Sequence, residues 1–305
     1  MSGSTDSLSR KISGAKDLEG VVRSMKALAA SSIGQYEKAV RSMDEYLGTV
    51  KLGLAVCLRR SGPVAAAESR RAQQEKSVGA VVFGSDQGLV GRFNEVLVEF
   101  AVAKLKTLPG KLTRIWGVGE RAQVLMADTG LGQVSSLSVP TSVNAITSLT
   151  GQILVEIEAA REQGDVKAVY VFHNQPKSGA TYEPVGKRLL PLDHSWQDKL
   201  AATPWPTKML PEVIDGVPQT LQAFVREYLF VLLFQACSES LASENASRLA
   251  AMQRAEKNIE NILEDLSRTL HRLRQESIDE ELFDVISGYE ALAKGKTQHE
   301  PPTRR

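Results

Sequence analysis

The chain has 305 residues, enough for one or two domains with a sizeable core. Lys plus Arg number 37 against 36 Asp plus Glu, so no net field recruits nucleic acid or an anionic membrane. Two cysteines, Cys57 and Cys237, and four scattered histidines give neither a disulfide framework nor a metal-ligand spacing, and neither metal nor cofactor is expected. The first thirty residues carry charge every few positions and no apolar h-region, so no secretory signal is expected. The most apolar run, Tyr228 to Cys237, has ten residues where a membrane span needs about 20. It reads as buried packing, with no direct membrane span.

Residues 1–62 read as an N-terminal helix. Ala15, Leu18, Val22, Met25, Ala29, Ile33, Tyr36, Val40, Met43, Leu47, Val50, Leu54 and Cys57 advance by threes and fours. That spacing lays one apolar stripe along a helix and favours supercoiling with a partner. The opposite side carries Arg10, Lys16, Glu19, Lys26, Glu37, Lys38 and Asp44. The arm should end near Arg59–Arg60, before Ser61-Gly62-Pro63 and a polar linker, Glu68–Lys76.

Residues 63–217 read as a linker and an inserted Rossmann-like α/β domain. Val78–Phe83 is a buried strand, followed by a glycine-rich turn, Gly84–Gly91, and a helix over Phe93–Leu105. Strand 115–118, helix 120–128, strand 133–137, helix 145–162 and strand 166–173 follow, which argues for a mostly parallel sheet. The turn, with Gly84, Ser85, Asp86, Gly88 and Gly91, has the form of a phosphate cradle. It matches neither GxxxxGK[ST] nor GxGxxG, so a structural turn or protein-contact loop fits better than nucleotide binding. His173 and His194 read as packing or surface groups. Arg268, His271, Arg272 and Arg274 read as a solvated basic face, without the interleaved aromatics of a nucleic-acid surface.

Residues 218–294 read as a C-terminal helix and 295–305 as a disordered tail. All ten prolines before that tail lie between Pro63 and Pro218, and Gln219–Ala293 contains one glycine, Gly288. Proline costs a helix interior about 3 kcal/mol and glycine about 1, so this arm is free to run unbroken for on the order of 110 Å. Leu221, Val225, Tyr228 and Leu232, and then Ile259, Leu263, Leu266, Leu270 and Leu273, form its stripe; between them it thins to small residues that permit close helix approach. The fold class is mixed α/β, with the two terminal helices packed antiparallel as a long coiled coil. An ordinary bundle core would also produce such stripes; the length of the second arm favours a rod.

Three segments carry a family resemblance. LSRKISGAKDLEGVVRSMKALAAS, residues 8–31, resembles the opening helix I-x-x-K-I-x-S-x-x-x-T-x-K-I-T-x-A-M-x-M-V-A-A-S of the gamma subunits of rotary ATP synthases. FGSDQGLVGRFN, residues 83–94, is similar to that family's GSDRGLCGGLN turn. LASENASRLAAMQRAEKN, residues 241–258, and RQESIDEELFDVISGYEAL, residues 274–292, resemble its SEHAARMxAMxxAxxN … RQAxITxEIxEIVxGAAAL.

The resemblance implies a central-stalk rotor. The coiled coil would turn inside a hexamer of alpha and beta subunits, one copy per complex. The α/β domain would form a foot on the epsilon subunit and the c-ring, on the cytoplasmic side of a bacterial cell membrane. Proton or sodium translocation would thereby be coupled to ATP synthesis or hydrolysis, with no catalytic residue in this subunit. By the same resemblance Met25, Arg248, Arg274, Gln275 and Glu281 are the rotor–hexamer contacts. The chain departs from the pattern at Asp17-Leu18-Glu19, Val90, Glu276, Asp279 and Tyr289-Glu290. Those departures fit a divergent gamma, such as those of the secondary ion-translocating ATPases some bacteria carry. A coiled-coil adaptor without motor function, and a phosphate- or nucleotide-binding α/β enzyme using the glycine turn, are the alternatives.

Overall fold

The computed structural model describes residues 2–71, 77–177, 181–209, 211–214 and 216–297. Helix α1 runs Ser2–Arg71, past the Ser61-Gly62-Pro63 break where the sequence places its end. A proline removes one intrahelical hydrogen bond, and the run Ala65-Ala66-Ala67-Glu68 that follows favours resumption of the ladder. Of the expected polar linker, the part up to Arg71 is therefore helical and 72–76 lies outside the described residues.

The strands and helices of the middle region follow in the expected order. They are β1 (Ser77–Phe83), α2 (Phe93–Lys106), β2 (Lys111–Val118), α3 (Glu120–Ala127), β3 (Gln133–Leu137), α4 (Val143–Glu162) and β4 (Ala168–Lys177). Two elements are additional: β5 (Thr181–Leu190) and α5 (His194–Ala201). The last helix, α6, runs Val217–Thr297, so the expected tail is helical at 295–297, and 298–305 lies outside the described residues. The sheet order is β3-β2-β1-β4-β5, parallel except for the antiparallel edge pair β4–β5.

The described chain divides into two compact units, one of Ala27–Ala251, the other of residues up to Lys26 with those from Met252 on. In the larger unit alternation along β1 sends side chains to two cores. Val78, Ala80 and Val82 join Leu97 and Ala101 of α2 and Met126 of α3. Val81 and Phe83 join Ile153 and Ile157 of α4, Leu229, Leu233 and Phe234 of α6, and Tyr36 and Ala39 of α1. The apolar run Tyr228–Cys237 is thus packing against a sheet, each fully buried large side chain contributing about 1.5–3 kcal/mol. Strands of the α/β region and both long helices thus share one core. Tyr46 donates to Glu227 at 2.8 Å and Gln235 to Asp44 at 2.6 Å, so α1 and α6 run antiparallel here.

In the smaller unit Met252 is the one buried side chain among the described residues. The α1 stripe is half-buried at Ala15, Val22 and Met25, but Leu18, expected in it, is 60% exposed. Every described side chain from Ile278 to Tyr289 is exposed. Lys26 and Glu19, expected on the solvent side, are half-buried and ion-paired instead.

Candidate functional site

The glycine turn leaves β1 as a closed hydrogen-bonded unit. Gly84 N–H donates to the Val118 carbonyl at 2.8 Å, and a Cβ on Gly84 would stand 2.3 Å from that of Ala122. Only a residue without a side chain admits α3 this close. Ser85 N–H donates to Asn94 Oδ1 at 3.0 Å, Asn94 Nδ2 returns a bond to Ser85 Oγ at 2.9 Å, and Ser85 Oγ donates to the Gln87 carbonyl at 2.9 Å. Asp86 spans the next gap: its Oδ1 accepts from Glu120 N–H at 3.0 Å and its Oδ2 from Val139 N–H at 3.1 Å. Leu89 and Gly91 both take positive φ, 62° and 60°, which completes the reversal.

The charges around the turn weigh against a phosphate cradle. The turn leads into α2, and its Asp86 carboxylate accepts from Glu120 N–H at the start of the neighbouring α3. A cleft of about 750 Å³ beside the turn is lined by Asp86, Glu95 and Glu120 against one guanidinium, Arg121, a balance that repels polyphosphate. Gly88 meets only the end of that arginine, so it serves no close approach.

The turn is fastened to α6 by a row of hydroxyls. Ser240 donates to the Phe83 carbonyl at 2.8 Å, Ser243 to the Asn174 carbonyl at 3.0 Å and Ser247 to the Val90 carbonyl at 2.5 Å. Steps of three and four put these serines on one helical face. The stretch where the stripe thins to small residues is therefore the seat of α6 on the carboxyl ends of β1 and β4. Immediately before Ser240, Glu239 meets His173 Nε2 at 2.6 Å and accepts from Gln175 at 3.2 Å. His173, which the sequence left as a packing or surface group, is fully buried.

Arg248 sits at the end of this seam. Its Nη2 is 2.5 Å from Glu244 Oε1, with the side chains 14% and 7% exposed. Burial raises the Glu244 carboxyl above its usual range, against the opposing pull of Arg248. Burial likewise raises Tyr36, with Glu244 adding to the effect. In the other unit Met25 is half-buried, whereas Arg274, Gln275 and Glu281 are exposed and none pairs with another described residue. Gly84, Ser85 and Asp86 thus belong to one hydrogen-bonded turn. Reasoning from the sequence missed Asn94, Glu239, Glu244 and the three serines. Their signal was faint: polar residues on the inner face of a helix that otherwise reads as apolar.

Comparison with known proteins decides the family. A family model described as ATP synthase matches residues 4–292. The chain belongs to the ATP synthase family. A gamma chain from Cupriavidus pinatubonensis is 27% identical, with 94% of this chain and 99% of that protein covered. One from Polynucleobacter asymbioticus is 24% identical over 95% and 99%. Among solved structures, a chain of the Euglena gracilis mitochondrial ATP synthase OSCP/F1/c-ring has a TM-score of 0.65 at 17% identity, with both chains fully covered. A chain of the same enzyme's rotor has 0.64 at 16%; likeness at such identities speaks for the fold. With full-length gamma chains as relatives, this is the non-catalytic central-stalk subunit of an F-type ATP synthase family member. The adaptor and nucleotide-enzyme alternatives fall away. Among the described residues no helix is long and apolar enough to cross a membrane.

Proposed function

We propose that the chain works as a shaft whose α/β region receives torque at the c-ring and whose bare helical end delivers it to the catalytic hexamer. The observation that carries this is the run from Ile278 to Tyr289. Ile278, Leu282, Phe283, Val285 and Tyr289 are 58–75% exposed on a helix with nothing covering them among the described residues. An apolar surface of this kind marks a docking site, and a collar of alpha and beta subunits is the partner suited to it. The similar solved structures are rotor, F1/c-ring and central-stalk/c-ring assemblies of mitochondrial ATP synthases, and that likeness supports association of this chain with F1 and the ring. Finer assignments are the epsilon subunit at the foot, one copy per complex, and a peripheral position on the cytoplasmic face of a bacterial membrane.

A rotor does no bond chemistry. It shifts conformational equilibria in its partners by contacting one conformer better than another. Arg274 and Gln275, solvated and without a described partner, offer several donors each and suit exchangeable contacts with a hexamer wall. Met25, Arg248 and Glu281 complete the set of hexamer contacts. Selection of the coupled ion, proton or sodium, belongs to the ring. In the Arg274→Ala/Gln275→Ala chain we expect unchanged folding, since exposed substitutions cost about half a kcal/mol or less, but poor assembly with alpha and beta or loss of most ATPase activity. Assembly and turnover equal to the parent would remove this pair from the contact set.

A further inference from the structure

Where α1 up to Lys26 lies with α6 from Met252, apolar burial alone gives the two helices little to hold by. Among the described residues Met252 is buried; Ala15, Val22, Met25, Ile259 and Leu263 are only half-buried. A polar cluster supplies what the stripe lacks. Glu256 of α6 accepts from Lys26 Nζ and stands 3.6 Å from Arg23 Nε, while Arg23 Nη2 is 2.6 Å from Glu19. The Glu256 side chain is 15% exposed, and the four charges sum to zero. No other ion pair joins the two helices among the described residues of this unit.

The placement of the two cations matters. Arg23 and Lys26 are three residues apart, neighbours on one face of α1. A single carboxylate approached from both sides fixes the height of α1 along α6. It also fixes the rotation of α1 about its own axis, which a smooth apolar stripe does poorly because hydrophobic contact is non-directional. Met25 is next to Lys26, so its direction is set with that rotation. The Lys26 ammonium and Arg23 also hold the Glu256 carboxyl below its usual range, keeping it ionised for this task.

We propose that Glu256 is a positioning residue, a two-point clasp on Lys26 and Arg23 that sets the azimuth of α1 beside Met25. Its bearing on coupling rests on the rotor reading above; the clasp itself does not. The test uses the full chain with spin labels at Leu18→Cys and Ile262→Cys, both exposed on the two helices; Cys57 and Cys237 are buried. The parent should give one narrow distance distribution and Glu256→Gln a broad one. Glu264→Gln, whose partner Arg268 lies on the same helix, should stay narrow. Raising salt should broaden the parent and leave Glu256→Gln unchanged, because screening acts on the ion pairs. A narrow Glu256→Gln distribution, or a parent insensitive to salt, overturns the clasp. In the reconstituted complex Glu256→Gln should lose ions pumped per ATP hydrolysed; a broadened distance with parental pumping overturns the link to Met25. Failure of the parent complex to pump would count against the rotor reading, leaving the distance result to judge the clasp.

Discussion

His173 lies buried on β4 with Nε2 on Glu239 and Nδ1 without a partner among the described residues. Protonation would strand an N–H in the core, so the pair is a neutral imidazole donating to an ionised carboxylate. Burial lowers the His173 pKa from the ordinary 6.5, with Glu239 opposing. A depressed value means the unfolded chain takes up a proton that the folded chain refuses. The stabilisation is therefore complete above pH 6.5 and is lost as pH falls below it. Glu239 shifts the same way: burial raises it, but the bond from His173 and nearby charges outweigh that, so its share is lost at more acid pH. Urea unfolding should show stability falling from pH 7 to 5, and His173→Gln should flatten the upper part of that fall. An unchanged slope in the variant would remove His173 from the acid response. Asp86 is the second residue with a defined cost. Asp86→Ala strands the N–H groups of Glu120 and Val139, and since each charge-assisted bond contributes about 1.5–3 kcal/mol, a half-exposed pair should cost about 2 kcal/mol in urea.

At the scale of elements, the seam between α6 and the sheet is held by three buried serine hydrogen bonds. Replacing Ser240, Ser243 and Ser247 with alanine leaves the Phe83, Asn174 and Val90 carbonyls without these donors. At about 1 kcal/mol per buried hydrogen bond, the triple variant should lose about 3 kcal/mol, with faster amide exchange at the turn than at β2. Equal exchange at both would mean that the serines do not hold the turn. How much of this was legible follows from the same elements. β1 to β4 and both long helices were readable because their apolar periods are strong; β3 falls on Gln133–Leu137 as expected. β5 was missed because Pro184 and Gly186 interrupt it, and an edge strand tolerates both. The break at Pro63 was overread, because a helix survives one missing bond when good helix formers follow. The serine row was invisible for another reason: a small polar residue on a buried face spells close packing and a hydrogen bond to strand carbonyls equally well. The glycine turn was placed correctly, but its use of Asp86 as an internal anion depends on Val139, far along the chain.

For the whole molecule, burial is unevenly shared between the two units. The core unit buries side chains on two faces of its sheet, whereas the side chains of residues 278–289 are exposed, as the proposed docking on a hexamer requires. Met25 is an uncharged, half-buried side chain next to the ion-paired Lys26. In the assembled complex Met25→Lys should lower ions pumped per ATP while hexamer assembly is retained, because a fixed cation gains angle-dependent partners that a thioether lacks. Pumping equal to the parent would exclude that. The most direct test of the rotor account is rotation itself. The hexamer is immobilised with this chain assembled in it, a bead is fixed to an exposed foot position such as Val155, and ATP is added. The account predicts steady rotation in one direction that stops when ATP is removed. A complex that hydrolyses ATP with its bead stationary would contradict it.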